Sequence, residues 1–358
     1  MDEANTTPAC EADENYQDQI LQGVSRTFAL TIPVLPHPLP RVVGNAYLLC
    51  RIADTIEDDK DLPFSKKYAF SQRFINVINA TERAEAFADE LYQQLSSSAT
   101  NAEKDLIKHT PVVIRITHSF NDKQRTALKR CIRVMVEGMS HYQESNVNNG
   151  LKDQDDMDKY CYYVAGVVGE MLTELFCDYC KEMNQNKEEL MKLAISFGQG
   201  LQMTNILKDI RDDQKRDMCW LPRDVFQSYG SDLVRITKDD WGTEFQLALG
   251  QLIGVTRSHL KNALSYTLYI PSRELGMRRF CLWTLGMAVL TLREINANCA
   301  YRTGREVKIS RRSVKSTIVI TNILTTQDRL LKLLFNMIAK ALPEQELSKR
   351  FQPTSRTV

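Results

Sequence analysis

Apolar residues recur at intervals of three and four along most of this 358-residue chain, and no long stretch alternates between apolar and polar positions. The first periodicity indicates amphipathic helices, whereas alternation would indicate strands. Residues 314–324 are rich in β-branched side chains but continue into an amphipathic pattern, so they too are interpreted as helix. An all-α protein is predicted. Its helices cover residues 16–31, 40–57, 102–119, 122–145, 155–182, 187–212, 240–269, 275–302 and 313–341, with a mixed helical pattern over 65–95.

Breakers are scarce, since the chain holds only 15 glycines and 11 prolines. Four prolines between Pro33 and Pro40 end the first helix, because proline cannot continue one. No repeat of fixed period is present. The simplest organisation is a disordered N-terminus over 1–15, one helical catalytic domain over 16–342 and a polar tail over 343–358.

Charge and composition exclude several classes of protein. The 46 Lys and Arg residues nearly balance the 45 Asp and Glu residues, so no nucleic-acid partner is expected. The N-terminus lacks a secretory signal, and no run reaches the roughly 18 apolar residues that span a membrane. Nine cysteines, an odd number, suit a reducing compartment, and the Cys177/Cys180 pair is interpreted as helix core. We therefore expect a cytoplasmic protein.

Two acidic segments each place two carboxylates one helical turn apart. Asp54 and Asp58 form the first pair, and Asp209 and Asp213 form the second. Like charges at this spacing repel each other. Carboxylate oxygens suit Mg²⁺, which usually bridges to substrate phosphates and so helps a diphosphate to leave. Two solvated acidic helix ends are the alternative interpretation.

Polar residues extend each acidic pair into a stripe along its helix. Stripes of this kind in apolar helices would line a cavity that is acidic at its mouth and apolar inside, which suits a diphosphate with a hydrocarbon tail. Near the N-terminus, Ser25, Arg26 and Phe28 add a hydroxyl, a guanidinium suited to phosphate and an aromatic ring. The stripes consist of Tyr47, Arg51, Asp54 and Asp58, and of Gln202, Asn205, Asp209 and Asp213.

Three segments resemble the signatures of the squalene and phytoene synthase family, in the family's order and at similar separations. They are Asp54 to Asp59, Asp158 to Gly166, and Gln202 to Asp213. Tyr160 to Gly166 and Val307 to Arg311 are similar to the squalene synthase branch of the family. The resemblance implies the isoprenoid synthase fold, a single helical bundle around a central cavity.

The resemblance also implies a reaction. Two farnesyl diphosphates would condense head to head with Mg²⁺ to give presqualene diphosphate, and an NADPH-dependent reductive rearrangement would then give squalene. A dehydrosqualene or phytoene synthase, which omits the reduction, is the alternative enzyme. A non-catalytic lipid-binding relative is disfavoured because all four paired acids are present.

The family's roles carry over to matching positions of this sequence. The implied metal ligands are Asp54, Glu57, Asp58, Asp209, Asp212 and Asp213. The implied catalytic residues are Tyr160, Phe280 and Tyr47, and the implied diphosphate-binding residues are Ser25, Arg26, Phe28, Arg51, Gln202 and Asn205. NADPH would be held by Lys308, Arg311 and Arg312 in a basic run, for which a solvated loop is the alternative interpretation.

The sequence departs from the family pattern at three positions. Lys208 stands where Arg is familiar, Thr284 where eukaryotic relatives have Pro, and Ser310 where they have a basic residue. The membrane-anchoring C-terminal helix of eukaryotic relatives is absent, which favours a soluble bacterial type of enzyme or a shortened chain. We expect a monomer whose membrane contact is peripheral and serves product release.

Overall fold

The computed structural model of the protein describes residues 10–25, 27–144, 147–233 and 241–347. These residues are mainly helical and contain no strand, and their isolated β-bridge joins Leu151 to Pro222. The all-α class predicted from the sequence is confirmed. The predicted catalytic domain is built of two compact units.

The first unit comprises, among the described residues, 10–144 and 170–185. Its core includes Phe87, which stacks on Phe74 with ring centroids 5.6 Å apart and meets Phe70 edge-on. Residues 170–179 add the second part of a helix that begins in the other unit. The helices are α1 (Glu11–Val24), α2 (Phe28–Thr31), α3 (Leu39–Asp58), α4 (Phe64–Ile78), α5 (Ala84–Gln94), α6 (Asn101–Lys108), α7 (Thr110–His118) and α8 (Asp122–Glu144).

The second unit comprises 147–169 and 186–347 among the described residues. Its longest helices pack on one another, with α11 against α13 and α14. A π-helical turn, Tyr162–Gly166, follows α9. The helices are α9 (Gln154–Cys161), α10 (Val167–Tyr179), α11 (Lys187–Gln214), α12 (Arg223–Ser228), α13 (Thr243–Tyr269), α14 (Leu275–Ala297), α15 (Arg311–Leu324) and α16 (Asp328–Ala339).

Three predicted helices are each broken into two. The helix predicted over 16–31 ends at Val24, and Phe28–Thr31 form the separate short helix α2. The helix predicted over 102–119 ends at Lys108, and α7 restarts with Pro111 in its first turn, where a missing N–H does no harm. The helix predicted over 313–341 is interrupted between Leu324 and Asp328. Residues 314–324 are helical, as predicted.

The N-terminus differs from its predicted disorder over 1–15. Residues 1–9 lie outside the described residues, but α1 already begins at Glu11. Its first turn carries acidic side chains, which the positive end of the helix dipole favours. Buried Asp13 also pairs with Arg115 of α7 at 2.6 Å. This ion pair anchors a segment whose composition alone indicates disorder.

The described thiols agree with the sequence interpretation. All nine cysteines are free, and Cys177 and Cys180 are both buried. Among the helices of the described residues, only α14 is long and apolar enough to cross a membrane, but 67% of its most apolar window is buried inside the protein. This burial is typical of a core helix.

A buried arginine holds the end of α13 to the turn between α15 and α16. Arg278 is 2% exposed, and its guanidinium donates to the carbonyl oxygens of Ile270 and Thr325 at 2.8 and 3.0 Å. It also pairs with Asp328 at 2.6 Å. Because several backbone carbonyls depend on this one side chain, it fixes the position of the last two helices.

We expect Arg278→Ala to lower the free energy of unfolding by about 3–5 kcal/mol, since it leaves buried carbonyls and a carboxylate without their donor. Urea unfolding monitored by circular dichroism measures the effect. Arg329→Ala, an exposed arginine of α16, is the control and should change stability by less than about 0.5 kcal/mol. Equal effects of the two substitutions would show that the hydrogen bonds and ion pair of Arg278 do not contribute to the free energy of unfolding.

Candidate active site

The first acidic pair lies at the C-terminal end of α3. Asp58 is the last residue of the helix, and Asp54 lies one turn earlier. Both the repulsion between them and the negative end of the helix dipole disfavour ionised carboxylates there. A cation would relieve both effects. The arrangement is therefore unfavourable for stability alone and suitable for a metal.

The electrostatics of Asp54 support this interpretation. Burial raises the pKa of Asp54 to about 6, the Arg51 guanidinium opposes that rise, and the Asp58 and Glu103 carboxylates add to it. Glu103 comes from α6 and lies 3.8 Å from the Arg51 guanidinium. Asp54 thus has one cationic neighbour, Arg51, and two anionic ones, Asp58 and Glu103, so the negative charge around it is only partly balanced.

Asp59, next to the pair, has a structural role instead. It is 2% exposed and accepts the backbone N–H groups of Asp61, Leu62 and Ser96 at 2.7–3.1 Å. Burial alone would raise its pKa, but these hydrogen bonds outweigh burial and lower it. Asp59 ends α3 and fixes the following loop, which explains why two adjacent aspartates have different roles.

The stripe above the first pair forms a connected cluster. Arg51 Nη2 donates to the Tyr47 hydroxyl at 2.9 Å, and that hydroxyl donates to the Val24 carbonyl at 3.0 Å. The Phe28 ring lies 5.3 Å from the Tyr47 ring. Arg51 Nε is buried and has no hydrogen-bond partner among the described residues. A guanidinium N–H without a partner, beside the candidate metal ligands, is suited to donate a hydrogen bond to a phosphate oxygen.

Two of the predicted diphosphate-binding residues, Ser25 and Arg26, lie near the N-terminus. Ser25 is buried, and its hydroxyl oxygen accepts the Phe28 N–H at 2.9 Å, so it holds the turn into α2. Arg26 lies outside the described residues.

The carbonyl of Glu57 accepts hydrogen bonds from Lys67 and Gln143, two neighbours of the acidic pair that the sequence pattern did not single out.

The second acidic pair lies in the last turns of α11 and is more fully compensated by bases. Asp209 pairs with Lys208 at 3.0 Å, and buried Asp213 pairs with Arg216 at 2.5 Å. Lys208 Nζ also approaches the Asn205 amide oxygen at 3.4 Å. Lys208, a departure from the family pattern, thus keeps a cation beside Asp209. Gln202 is half-buried and Asn205 is exposed on the same helix.

A loop from the C-terminal part of the chain lies directly on this pair. The Tyr301 hydroxyl, fully buried, donates to the Leu207 carbonyl. A Cβ on Gly304 would lie 2.8 Å from Asp209 Oδ1, so a larger residue there would displace the Asp209 carboxylate. The pKa of Asp212 is lowered, first by its hydrogen bond to Lys215 and further by the Gly304 backbone. The start of the basic run is therefore in contact with the second acidic pair.

Tyr160 lies at the end of α9 and is 6% exposed. Its ring stacks on Trp220 with centroids 3.9 Å apart and planes 8° apart. Trp220 lines a small depression together with Asp213. The stacking holds the tyrosine ring in one orientation near an acid of the second pair. Trp220 could not be predicted as a neighbour of Tyr160, because no sequence pattern indicates which ring it contacts.

The helix after Tyr160 is irregular and closely packed. The π-helical turn Tyr162–Gly166 follows it, and such turns are frequent at functional sites. A Cβ on Gly198 of α11 would lie 2.2 Å from the Ala165 carbonyl oxygen, so the two helices touch backbone to backbone. Nearby, burial raises the pKa of Asp158 to about 6.

The remaining candidates divide between core and surface. Phe280 is 5% exposed on α14, and its carbonyl accepts the Thr284 hydroxyl at 2.9 Å. Lys308, Arg311 and Arg312 are exposed. Ser310, another departure from the family, is the N-cap of α15 and accepts the Ser313 N–H at 3.0 Å. The two arginines therefore occupy a helix N-terminus, which favours anions.

The acidic residues fit Mg²⁺ in chemistry and number. Within the described residues no three His, Cys, Asp or Glu side chains converge into a ready-made cage. Mg²⁺ usually takes one or two protein carboxylates, water and substrate phosphates. The predicted metal ligands Asp54, Glu57, Asp58, Asp209, Asp212 and Asp213 lie at two helix ends that could each supply such a set.

Several curated proteins are similar in sequence to this chain. A squalene synthase of Schizosaccharomyces pombe is 27% identical over 326 residues, 87% of this chain and 68% of that protein. Squalene synthase ERG9 of Gibberella zeae is 28% identical over 81% of this chain and 61% of its own length. The chain thus spans about two thirds of the length of these curated relatives.

Solved structures share the fold. TcSQS in complex with the ligand BPH1237 matches with a TM-score of 0.74 at 22% identity, over 94% of both chains. A dehydrosqualene synthase in complex with a ligand matches with a TM-score of 0.59 at 17% identity, over 90% of this chain and 98% of that one. The isoprenoid synthase fold predicted for the chain is confirmed. The sequence profile named squalene/phytoene synthase matches residues 21–313, which is most of the chain, and the chain therefore belongs to the squalene/phytoene synthase family.

Proposed function

We propose that this chain is a squalene synthase that condenses two farnesyl diphosphates to presqualene diphosphate and reduces that intermediate to squalene. The observation that carries the proposal is the pair of D-x-x-x-D motifs at the ends of α3 and α11, in a chain that matches the family over residues 21–313. At the end of α3, where bases compensate the acids least, the helix dipole and the repulsion between the two carboxylates are unfavourable, and a bound cation would relieve both. Relatives named squalene synthase support the reductive product over the alternatives.

Each acidic end has its own neighbours for binding a diphosphate. At the first, Asp54 and Asp58 would hold Mg²⁺, which neutralises the leaving diphosphate. The half-buried Arg51 beside them would donate to a phosphate oxygen, and Tyr47 orients that guanidinium. At the second, Asp209 and Asp213 would bind the metal, while Lys208 and Arg216 lie close enough to contact phosphate.

Tyr160 is the residue that we assign to the first step. Its hydroxyl would give its proton to the departing diphosphate and take up the proton lost as the cyclopropane closes, and stacking on Trp220 holds the ring for that transfer. Phe280 is assigned to the second step, because an aromatic face stabilises a cation. Both rings are buried, so they can act where water is excluded.

NADPH would supply hydride in the second step. The exposed bases Lys308, Arg311 and Arg312 fit its phosphates, since two of them begin α15, where the helix dipole adds to their charge. The preceding residues of the same run contact the second acidic pair through Gly304. We further propose a cytoplasmic, monomeric enzyme with peripheral membrane contact.

The direct test incubates the purified protein with farnesyl diphosphate and Mg²⁺, with and without NADPH, and identifies the hydrocarbons by mass spectrometry. We expect squalene only when NADPH is present. Dehydrosqualene, formed regardless of NADPH, would replace the proposed function with the alternative enzyme.

The cofactor segment can be tested on its own. Lys308→Ala with Arg311→Ala removes two charge-assisted contacts, each worth about 1.5–3 kcal/mol, so the NADPH concentration for half-maximal squalene formation should rise at least about tenfold. Presqualene diphosphate formation should stay near the parent rate. Lys261→Ala, an exposed lysine of α13, is the control. An unchanged NADPH requirement in the double variant would make the segment a solvated loop.

A further inference from the structure

Helix α15 turns its apolar side chains outward. Its buried residues are Thr317 and Thr321, followed by Thr325 just beyond the helix end. Each hydroxyl donates to the carbonyl four residues earlier at 2.7–2.9 Å, so these polar groups are satisfied without external partners. Val319 and Ile323 are 56% and 71% exposed. A helix that buries threonine and exposes isoleucine has the reverse of the pattern expected for a surface helix.

Helix α16, which packs against α15, also exposes apolar side chains. It buries Leu331 and Phe335 against the second unit, as an amphipathic helix should. On its outer side Leu330, Leu333 and Met337 are 46%, 63% and 69% exposed. Their spacings of three and four residues place them on one stripe. We call the outward apolar residues of both helices the aliphatic face; it consists of Val319, Ile320, Ile323, Leu330, Leu333 and Met337.

The two helices that carry the aliphatic face are rich in bases. Residues 311–340 contain one acid, Asp328, and it is paired with Arg278. The chain as a whole has a net charge of only +1, so this concentration of bases is local. The same residues include the exposed bases Arg311, Arg312, Lys315, Arg329, Lys332 and Lys340.

We propose that the aliphatic face docks on the surface of an anionic lipid bilayer. Apolar side chains on such a face enter the boundary between headgroups and acyl chains, and the surrounding lysines and arginines attract anionic headgroups. A second copy of this chain is a poorer partner, because a two-fold contact would bring two basic surfaces together. Apolar exposure together with one-sided basic charge therefore selects a membrane surface.

Docking would give the enzyme access to apolar material in the bilayer. This benefit rests on the proposed function, because squalene is a hydrocarbon that water does not dissolve. The docking itself does not depend on it, since the face would bind vesicles whatever the reaction.

The test is co-sedimentation of the full chain with vesicles of phosphatidylcholine alone or mixed with phosphatidylglycerol. We expect binding to the mixed vesicles, weaker binding at high salt, and a fall in affinity of at least about tenfold in the variant Ile323→Ser, Leu333→Ser and Met337→Ser. The matched control is Tyr68→Ser with Leu247→Ser, two apolar residues exposed elsewhere by 49% and 54%. A second variant, Lys315→Gln with Lys332→Gln, should weaken binding to anionic vesicles only.

Three results would overturn the proposal. The parent protein fails to bind mixed vesicles, the serine variant binds them as well as the parent, or sedimentation equilibrium shows a parent dimer that the serine variant breaks. Squalene formation in detergent is measured in parallel on every variant. Loss of vesicle binding with full activity in detergent supports the docking face, whereas inactivity of the parent in detergent counts against the proposed function alone.

Discussion

Replacing Asp54 with Asn is expected to lower turnover of farnesyl diphosphate by about a thousandfold in both half-reactions. The substitution keeps the shape of the side chain and deletes a charge that metal binding needs, and a bound metal is worth several kcal/mol of transition-state stabilisation. Steady-state rates of presqualene diphosphate and squalene formation give the measurement. Asp61→Asn, an exposed acid just beyond the same helix, is the control and should retain the parent rate.

Urea unfolding of Asp54→Asn shows whether a loss of activity comes from lost catalysis or from lost folding. The pKa of Asp54 is about 6 in the folded protein and near 4 in the unfolded chain. Its ionisation therefore lowers the free energy of unfolding as the pH rises from about 4 to about 6. Asp54→Asn should therefore unfold at pH 8 at the same urea concentration as the parent or a higher one. A parent-like rate in a folded Asp54→Asn enzyme would remove this residue from the metal site.

The partner substitution, Asp213→Asn, should have the same effect on activity and a different one on stability. Asp213 is buried and paired with Arg216, so deleting its charge should cost about 1–3 kcal/mol. Asp217→Asn is the control, since position 217 has φ +54°, a conformation that Asn tolerates.

Tyr160→Phe should slow presqualene diphosphate formation by about 10²–10⁴-fold, the usual contribution of a positioned acid or base. The substitution deletes only the hydroxyl, and the phenyl ring can still stack on Trp220. Rapid-quench assays of the first step, together with substrate binding measured by calorimetry, separate chemistry from affinity. Tyr179→Phe, an exposed tyrosine at the end of α10, is the control. Presqualene diphosphate accumulating at the parent rate would return Tyr160 to a packing role.

The fold class and the two acidic pairs were predictable because they depend on local spacing. A period of 3.6 residues identifies helices, and two acids four apart share a face wherever the helix packs. The breaks after Lys108 and Leu324 were missed, because the apolar periodicity continues across both of them. The π-helical turn at Tyr162 was also missed, because it packs closely against α11 and the sequence of one helix does not show which helix it packs against.

The site's neighbours could not be predicted, since they are brought together only by folding. Glu103 meets Arg51, and Trp220 meets Tyr160, across 52 and 60 residues of sequence. Asp58 and Asp59 are identical in type and adjacent, yet only Asp59 caps the helix end, where its carboxylate meets the Ser96 backbone. The expectations of a monomer, a cytoplasmic location and a bacterial type remain predictions.

The most direct measurement of the central claim is a pulse-chase experiment on the parent enzyme. Labelled farnesyl diphosphate and Mg²⁺ are supplied first without NADPH, and NADPH is added after the first products have formed. We expect presqualene diphosphate to build up before NADPH is added and to be converted to squalene afterwards. Conversion of the label to dehydrosqualene before NADPH is added, or no condensation at all, would contradict the proposed reaction.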